Sequence, residues 1–198
     1  MMSSQISVFY NGQSGQALSY IYNGDLNNDG TTNDMIYIPK SMSDINLITI
    51  PATTGTNPTP AVTPEEQWTK LDAFINGNEY LSAHRGEYAE RNADHIPFQH
   101  QFDLKFLQEL KMTIAGADHR FQLGIDIINI GNMLNKDWGH SNYATNQQNA
   151  LINYKGLASG TSQPTYTYDG KSLINAEAYS ISDFNSRWRA QVSFRYIF

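Results

Sequence analysis

Four stretches of the chain alternate apolar and polar residues with a period of two. Side chains of a strand alternate faces, so each stretch predicts a strand with one greasy and one wet side. The clearest is 186–198. Trp188, Ala190, Val192, Phe194, Tyr196 and Phe198 fall on one face; Arg187, Arg189, Gln191, Ser193 and Arg195 fall on the other, with Ile197 out of step. In 98–114, Phe102, Leu104, Phe106, Leu110, Met112 and Ile114 line one face against Gln101, Asp103, Lys105, Glu109 and Lys111, and Gln108 is the polar exception. In 120–130, Phe121, Leu123, Ile125 and Ile127 oppose Arg120, Gln122, Gly124 and Asp126. The fourth stretch, 5–22, begins with Ile6, Val8 and Tyr10 and resumes beyond Gly12–Gly15 with Leu18, Tyr20 and Tyr22.

The connections between these strands are unequal. A tight turn at Ala115-Gly116-Ala117-Asp118 joins two of them, whereas 23–97 and 131–185 are long. Such loops are uncommon in compact soluble domains. They are expected on the outer side of an outer-membrane barrel, where periplasmic turns are short and extracellular loops long. With the last strand running inward, both long connections fall outside and the tight turn falls in the periplasm. A strand over 186–198 reaches ~43 Å, or about 30 Å when tilted, which matches a bilayer core. The pattern therefore predicts an all-β fold. It is an antiparallel transmembrane β-barrel portion of about four long strands, with long extracellular loops and a short loop helix.

That helix is written at Thr63-Pro64-Glu65-Glu66, with Thr as N-cap, Pro at the first helical position and Glu at the third. Trp68, Leu71, Phe74 and Ile75 follow at helical spacing, and Gly77 is placed to end it. An amphipathic helix packed at a rim and a helix that touches ligand are both open on this pattern. The Thr-, Pro- and Gly-rich run 53–60 predicts a flexible loop tip.

Composition sharpens the picture. Only 16% of the 198 residues are charged while 12% are aromatic, including 12 Tyr and 9 Phe. An average soluble domain is about 25% charged. The net charge of −6 and pI near 5.2 argue against nucleic acid as a partner. No cysteine is present, which removes disulfides and thiolate metal sites. Met1-Met2-Ser3-Ser4-Gln5 has neither a basic nor an apolar leader region, so no export signal is expected there. A mean hydropathy of −0.49 is compatible with a barrel, because lumen-facing and lipid-facing residues alternate along its strands.

The candidate chemistry is sparse. Asp25, Asn27, Asp29, Thr31, Asn33 and Asp34, with Gly30 at the sixth position, open like an EF-hand calcium loop. Ile36 stands where the twelfth-position Glu belongs, with Asp34 as its substitute. An Asx-rich hairpin turn that needs no metal explains the same residues. The five histidines, His84, His95, His100, His119 and His140, show no metal-ligand spacing. No nucleophile elbow, phosphate loop or dinucleotide fingerprint occurs, so no enzyme is expected. Trp138, Tyr143, Tyr154, Tyr166 and Tyr168 lie in the second long connection among many amides. They fit an aromatic girdle or loop packing, or stacking on a sugar or peptide.

Four stretches together resemble a known family. They are Phe9–Gly15 with Tyr20–Asn27; Tyr80-Leu81 through Arg85-Gly86-Glu87-Tyr88 to Arg91-Asn92; Asp126–Asn129 with Asn132–Gly139; and Arg195-Tyr196-Ile197-Phe198. In order and spacing they resemble the C-terminal β-barrel portion of a Bacteroidota-type TonB-dependent outer-membrane receptor. The resemblance implies the cell outer membrane, outer-membrane lipid, the rest of the barrel and its plug as surroundings. It also implies active import of a scarce ligand, driven by TonB acting through an N-terminal part not present in this sequence. In similar proteins the terminal aromatic strand is read by the barrel-assembly machinery. That signal maps onto Trp188, Val192, Phe194, Tyr196 and Phe198. The whole of 1–198 is then expected to be a C-terminal fragment that supplies the last strands and transports nothing alone, since an open sheet edge does not face lipid.

Two other readings fit the pattern. One is a soluble β-rich module, calcium-stabilised or carbohydrate-binding, at a cell surface. The other is a small outer-membrane protein assembled from several copies of this chain. The question that separates them is whether the greasy faces meet lipid or a second protein layer.

Overall fold

The two-residue rhythm becomes strands of unusual length. The computed structural model describes residues 1–54, 56–170 and 178–198. Its elements, in chain order, are β1 (Met2–Gln13), β2 (Ala17–Asn23), α1 (Pro64–Gly77), α2 (Glu79–Ala83), β3 (Asp94–His95), β4 (Gln99–Ile114) and β5 (Ala117–Ile128). They continue with α3 (Ile130–Leu134), β6 (Asn142–Tyr143), β7 (Gln148–Leu157), β8 (Pro164–Thr167), β9 (Ser180–Ile181), α4 (Asp183–Ser186) and β10 (Arg189–Ile197). Strands take 44% and helices 18% of the described residues, so the fold is mostly β. It forms two compact units: Met1–Gly15, Pro97–Asn142 and Ile181–Phe198 make the first, Gln16–Ile96 and Tyr143–Ser180 the second.

The first unit is built on an open four-stranded sheet in the order β1-β4-β5-β10. Every neighbouring pair is antiparallel. β1 and β5 have 12 residues each and β4 has 16, against a usual strand of about 5–6. The β4–β5 turn consists of Ala115 and Gly116, both with positive φ (51° and 84°). Positive φ at both central positions is the geometry of a type I′ hairpin, whose twist matches that of the strands. The register pairs Ile114 with Ala117 beside this turn, and Gln13 with Gln99 at the opposite end. The chain therefore makes its short connection at one end of the sheet and leaves for both long connections from the other.

At that second end, Asn129 terminates β5 in the left-handed region (φ 57°) and is almost fully buried. Its Nδ2 donates to the Gly139 carbonyl at 2.8 Å and to the Ser186 carbonyl at 2.7 Å, while its backbone N–H donates to Asp103 at 2.8 Å. A Cβ on Gly139 would overlap the Asn129 side chain. Asn132 donates to the carbonyls of Lys136 and Trp138 and accepts from the Trp188 amide. Here the asparagine-rich stretch is a knot that ties the exit of β5 to the entry of β10.

The second unit corrects two expectations. The stretch 5–22 is not one interrupted strand. It ends at Gln13 and restarts at Ala17, and the two halves belong to different sheets. The residues show why: β1 is exposed along almost its whole length, whereas Leu18 to Tyr22 of β2 are buried on both faces. The long connections are also not plain loops. They supply β3, β7 and β8, which join β2 in a sheet of order β3-β2-β7-β8, in which β2 and β7 run parallel, a pairing the antiparallel expectation does not include. Leu71 and Ile75 of α1, Leu81 of α2, Ile36, Ile38, Leu151 and Ile152 are 2% exposed or less and form the core with Tyr20.

α1 starts as written. Thr63 accepts from the Glu66 amide and Glu66 accepts from the Thr63 amide. Gly77 is the last helical residue, and Asn78 ends α1 while its side chain accepts from the Leu81 amide to start α2. Of the predicted loop tip 53–60, Gly55 lies outside the described residues; Thr53 and Thr59 pair across the remainder at 2.9 Å. Residues 171–177 of the second connection also lie outside the described residues.

Gln67, on the inner face of α1, is fully buried and fully bonded. Its Nε2 donates to the carbonyls of Ile48 (2.8 Å) and Val62 (3.2 Å), and its Oε1 accepts from the Tyr168 amide (2.9 Å). Gln67→Leu keeps the volume but strands those groups, and is expected to destabilise the unit by about 2–4 kcal/mol in denaturant unfolding followed by near-ultraviolet dichroism. Ala115→Asn is expected to stabilise the β4–β5 hairpin by about 0.5–1 kcal/mol, since Asn tolerates the left-handed region better than Ala. Guanidinium unfolding in detergent reads this second change.

Candidate functional site

The two faces of the β1-β4-β5-β10 sheet differ sharply in chemistry. The register places apolar residues opposite apolar residues across all four strands. Val8 meets Leu104, which meets Ile127, which meets Ala190. One row along, Ile6 meets Phe106, Ile125 and Val192 in turn. Leu110, Phe121 and Tyr196 make a further row. This face is uncovered: Ile6, Val8, Val192 and Phe194 are each 67–69% exposed. An ordinary monomer rarely shows contiguous apolar surface of this kind without something to cover it.

Two polar residues interrupt the face, and they interrupt it together. Ser4 and Gln108 are register partners. The Ser4 hydroxyl donates to Gln108 Oε1 at 2.6 Å, and Gln108 Nε2 donates to the Ser3 carbonyl at 2.8 Å. Gln108, the exception in its strand's alternation, thus meets the exception of the neighbouring strand.

Each end of the face carries a tyrosine–histidine pair. Tyr10 and His100 share a hydrogen bond of 2.9 Å, with Phe102 against the tyrosine ring at 4.8 Å. At the hairpin end, His119 and Tyr196 share one of 2.6 Å with their rings stacked, and Phe121 stacks on Tyr196 at 4.8 Å. From His100 to Met112, the partner of His119, the strand covers about 40 Å at ~3.4 Å per residue, or about 28 Å at a ~45° tilt. Of the residues matched to an assembly signal, Val192, Phe194 and Tyr196 lie on the apolar face of β10, and Trp188 and Phe198 flank that strand.

The opposite face carries polar pairs in register, interrupted by Phe9, Leu107, Ile128 and Ile197. Lys105 and Asp126 form an ion pair at 3.1 Å, Gln122 donates to Glu109 at 2.7 Å, and Thr113 donates to Asp118 at 2.9 Å. Lys111 reaches Glu109 at 3.1 Å. Gly124, opposite Ser193, leaves the space that the serine hydroxyl occupies.

The predicted calcium residues form a turn built on their own side chains. Asp25 accepts from the amides of Asp29 (3.1 Å) and Gly30 (2.8 Å). Asp29 accepts from the Thr31 amide (2.8 Å) and hydroxyl (2.6 Å), and Thr31 also donates to Asn33 at 2.9 Å. Asn27 donates to Asp29 and accepts from its amide; Asp34 closes the base by accepting from the Leu26 amide. The hydrogen bonds from Thr31, then from Asn27, hold the Asp29 carboxyl below the usual aspartate range. Among the described residues no three carboxylates or histidines converge as a metal-ligand set.

A second feature lies within the Gln16–Ile96 and Tyr143–Ser180 unit: a cleft of about 670 Å³ bordered by Tyr22, Tyr37, Tyr88 and Tyr166. Tyr22 and Tyr166 stack at 5.1 Å, and Tyr37 meets Tyr88 edge-on at 5.4 Å. Burial pushes the hydroxyl pKa of both Tyr22 and Tyr166 up, and that of Tyr168 to about 12. The aromatics of the second connection therefore separate by role. Tyr166 floors the cleft and Tyr168 sits in the core, while Trp138 and Tyr143 are exposed. Sequence reading missed the cleft because Tyr22, Tyr37, Tyr88 and Tyr166 are far apart along the chain.

If the apolar face meets a non-aqueous medium, Ser4→Val alone leaves Gln108 Oε1 without its donor, while Nε2 keeps the Ser3 carbonyl, and is expected to cost about 1–3 kcal/mol. The pair Ser4→Val with Gln108→Leu is expected to recover most of that loss. In water-facing surroundings the single change would be nearly silent, so unfolding of the three variants in lipid vesicles distinguishes the cases. Compared with family models, curated proteins and solved structures, the chain matches none.

Proposed function

We propose that this chain is part of an outer-membrane transporter of the TonB-dependent receptor class, and that it contributes wall strands of a transmembrane β-barrel. On this reading β1, β4, β5 and β10 cross the membrane with Ile6, Val8, Phe106, Val192 and Phe194 toward lipid. Lys105, Asp126, Glu109, Gln122 and Arg195 then face the lumen. The Tyr10–His100 and Tyr196–His119 pairs mark the two interfaces, where amphipathic rings are favoured. The two long connections lie on the outside and contribute to ligand capture, without catalysis. Trp188, Val192, Phe194, Tyr196 and Phe198 serve barrel assembly.

The observation that carries the proposal is the one-sided sheet itself. Long strands show an exposed apolar band between two aromatic ends, a paired polar reverse face, and both long connections leaving from one end. Transmembrane strands need about 9–11 residues and an apolar band about 25 Å tall, and outer-membrane barrels combine short turns on one side with long loops on the other. A soluble module must instead cover such a face with a second layer.

Single cysteines at Val8, Phe106 and Val192, labelled with an environment-sensitive dye, test the proposal in chain reconstituted into vesicles. Blue-shifted emission quenched by brominated lipid is expected at these three sites. Labels at Ser7, Lys105 and Gln191 should stay indifferent to brominated lipid. Chain that is monodisperse in detergent-free buffer, with the three apolar-face labels shielded from lipid and from aqueous quencher alike, would favour the soluble module instead.

A further inference from the structure

We propose that an aromatic pocket at the long-connection end of the apolar face holds the phosphoethanolamine head of a membrane lipid. The inference rests on the membrane reading of the sheet and adds a lipid preference at one place on it. The pocket measures about 340 Å³ and lies wholly within the first unit, between the start of β4 and the segment 131–142. It stands at the small end of the ~300–1,000 Å³ of typical ligand sites, a size for one head group. Three rings line it with open surface: Phe98, Phe102 and Trp138 are 51%, 43% and 57% exposed. His100 and Phe102 share the face of Leu104 and Phe106, so the pocket continues directly onto the apolar band. Its occupant is therefore continuous with whatever covers that band.

Charge selects the head. Among the described residues that line the pocket, Asp137 is the one carboxylate, and none is a lysine or arginine. Its carboxylate meets only the Lys136 ammonium among the described residues, at 3.8 Å, with both side chains exposed. Such a pair contributes little and gives way readily. His140 Nε2 donates to the Lys136 carbonyl at 2.9 Å, which leaves Nδ1 of the neutral ring as an acceptor. His100 Nδ1 is already engaged by the Tyr10 hydroxyl. Open ring faces beside a carboxylate and a free ring nitrogen suit an ammonium group. The rings attract its charge, and Asp137 and His140 accept its N–H bonds.

The neighbouring charge completes the match. Lys136, released from Asp137, is placed to take the phosphate that follows the ammonium in a phosphoethanolamine head. The positive and negative ends of the head then meet the negative and positive side chains in the same order. Other occupants fit less well. An acidic head meets Asp137 with like charge, and a purely apolar one removes water from Asp137 without replacing it. A choline head keeps the ring attraction but has no N–H for Asp137 or His140. A sugar needs many polar partners, and Phe98, Phe102, Gly131 and Gly139 offer no side-chain hydrogen-bonding group.

Trp68→Phe with Trp188→Phe leaves Trp138 as the sole tryptophan, so its emission reports on the pocket. The full chain with these changes is reconstituted into phosphatidylcholine vesicles. A minor fraction of the lipid carries brominated chains on an ethanolamine, glycerol or choline phospholipid. Quenching of Trp138 is expected to be about threefold stronger with the ethanolamine lipid than with the other two at equal content. A dye on Val192→Cys, further along the apolar face, should be quenched equally by all three. Asp137→Asn and, separately, Phe98→Ala are expected to remove the preference at Trp138, and Lys136→Gln to lower it about twofold. Asp137 and Lys136 are exposed, so their changes keep the test valid if Phe98→Ala disturbs the fold. Soluble phosphoethanolamine should leave the quenching unchanged. Equal quenching of Trp138 by the three lipids, with Val192 still quenched, would overturn this proposal and leave the membrane reading standing. No quenching at Val192 would overturn the membrane reading and this proposal with it. Preference for the glycerol or choline lipid, a preference that survives Asp137→Asn, or relief by soluble phosphoethanolamine would each overturn the assignment to an ethanolamine lipid.

Discussion

The first unit depends on one register. Because side chains alternate along a strand, a slip of one residue between β4 and β5 would carry Leu104, Phe106 and Leu110 to the face of Lys105 and Glu109. Every property of the sheet, the apolar band, the aromatic ends and the charged ladder, exists only while four strands keep the same phase. Several interactions hold it. The two-residue turn at Ala115-Gly116 fixes β4 against β5. Ser4 with Gln108 fixes β1 against β4, and Tyr196 with His119 fixes β10 against β5. On the polar side, Lys105–Asp126 and Glu109–Gln122 pair in the same register. Each contact is modest in itself. Their agreement is what makes the alternatives costly, since a slip at any one pair breaks that pair's contacts and puts its strands out of phase with the rest.

The second unit is held by a different logic. Its strand β2 is buried on both sides, so alternation there no longer tells inside from outside. Instead, individual polar side chains join distant segments. Gln67 binds three backbone groups from three places in the chain. Arg85 reaches the Pro39 carbonyl and the Asp72 carboxylate, linking two loop segments to α1. Tyr20 and Asn78 both donate to Asp94. Buried polar groups that are fully bonded specify one arrangement, because every near-miss leaves some of them unpaired.

This difference explains what was legible in the sequence. The strands of the first unit were readable because period two survives wherever one face is apolar, and α1 was readable because capping is local to four residues. Gln108 looked like a flaw in the pattern. It becomes intelligible only once Ser4 is placed opposite it, which no local reading supplies. The division of 5–22 was hidden because Leu18, Tyr20 and Tyr22 alternate as well as Ile6, Val8 and Tyr10 do. What differs is their surroundings, not their spacing. Gln67 was hidden for the same reason. A helical stripe marks Leu71 and Ile75, but nothing local marks a glutamine whose partners lie at Ile48, Val62 and Tyr168.

The polar interruptions of the apolar face also bear on what that face meets. In water, Ser4 and Gln108 would each find solvent, and their mutual hydrogen bond would add little. In a medium without hydrogen-bonding partners an unpaired amide is expensive, and pairing the two exceptions across neighbouring strands is the arrangement with least penalty. The tyrosine–histidine pairs argue in the same direction from the ends of the band. A soluble core would bury such rings or replace them with aliphatic residues. A layer that is apolar in the middle and wet at both margins instead suits rings with one greasy body and one polar tip. The same face thus contains hydrogen-bonding groups in two kinds of place, and in both they are already satisfied: in the middle by each other, and at the ends by a partner ring.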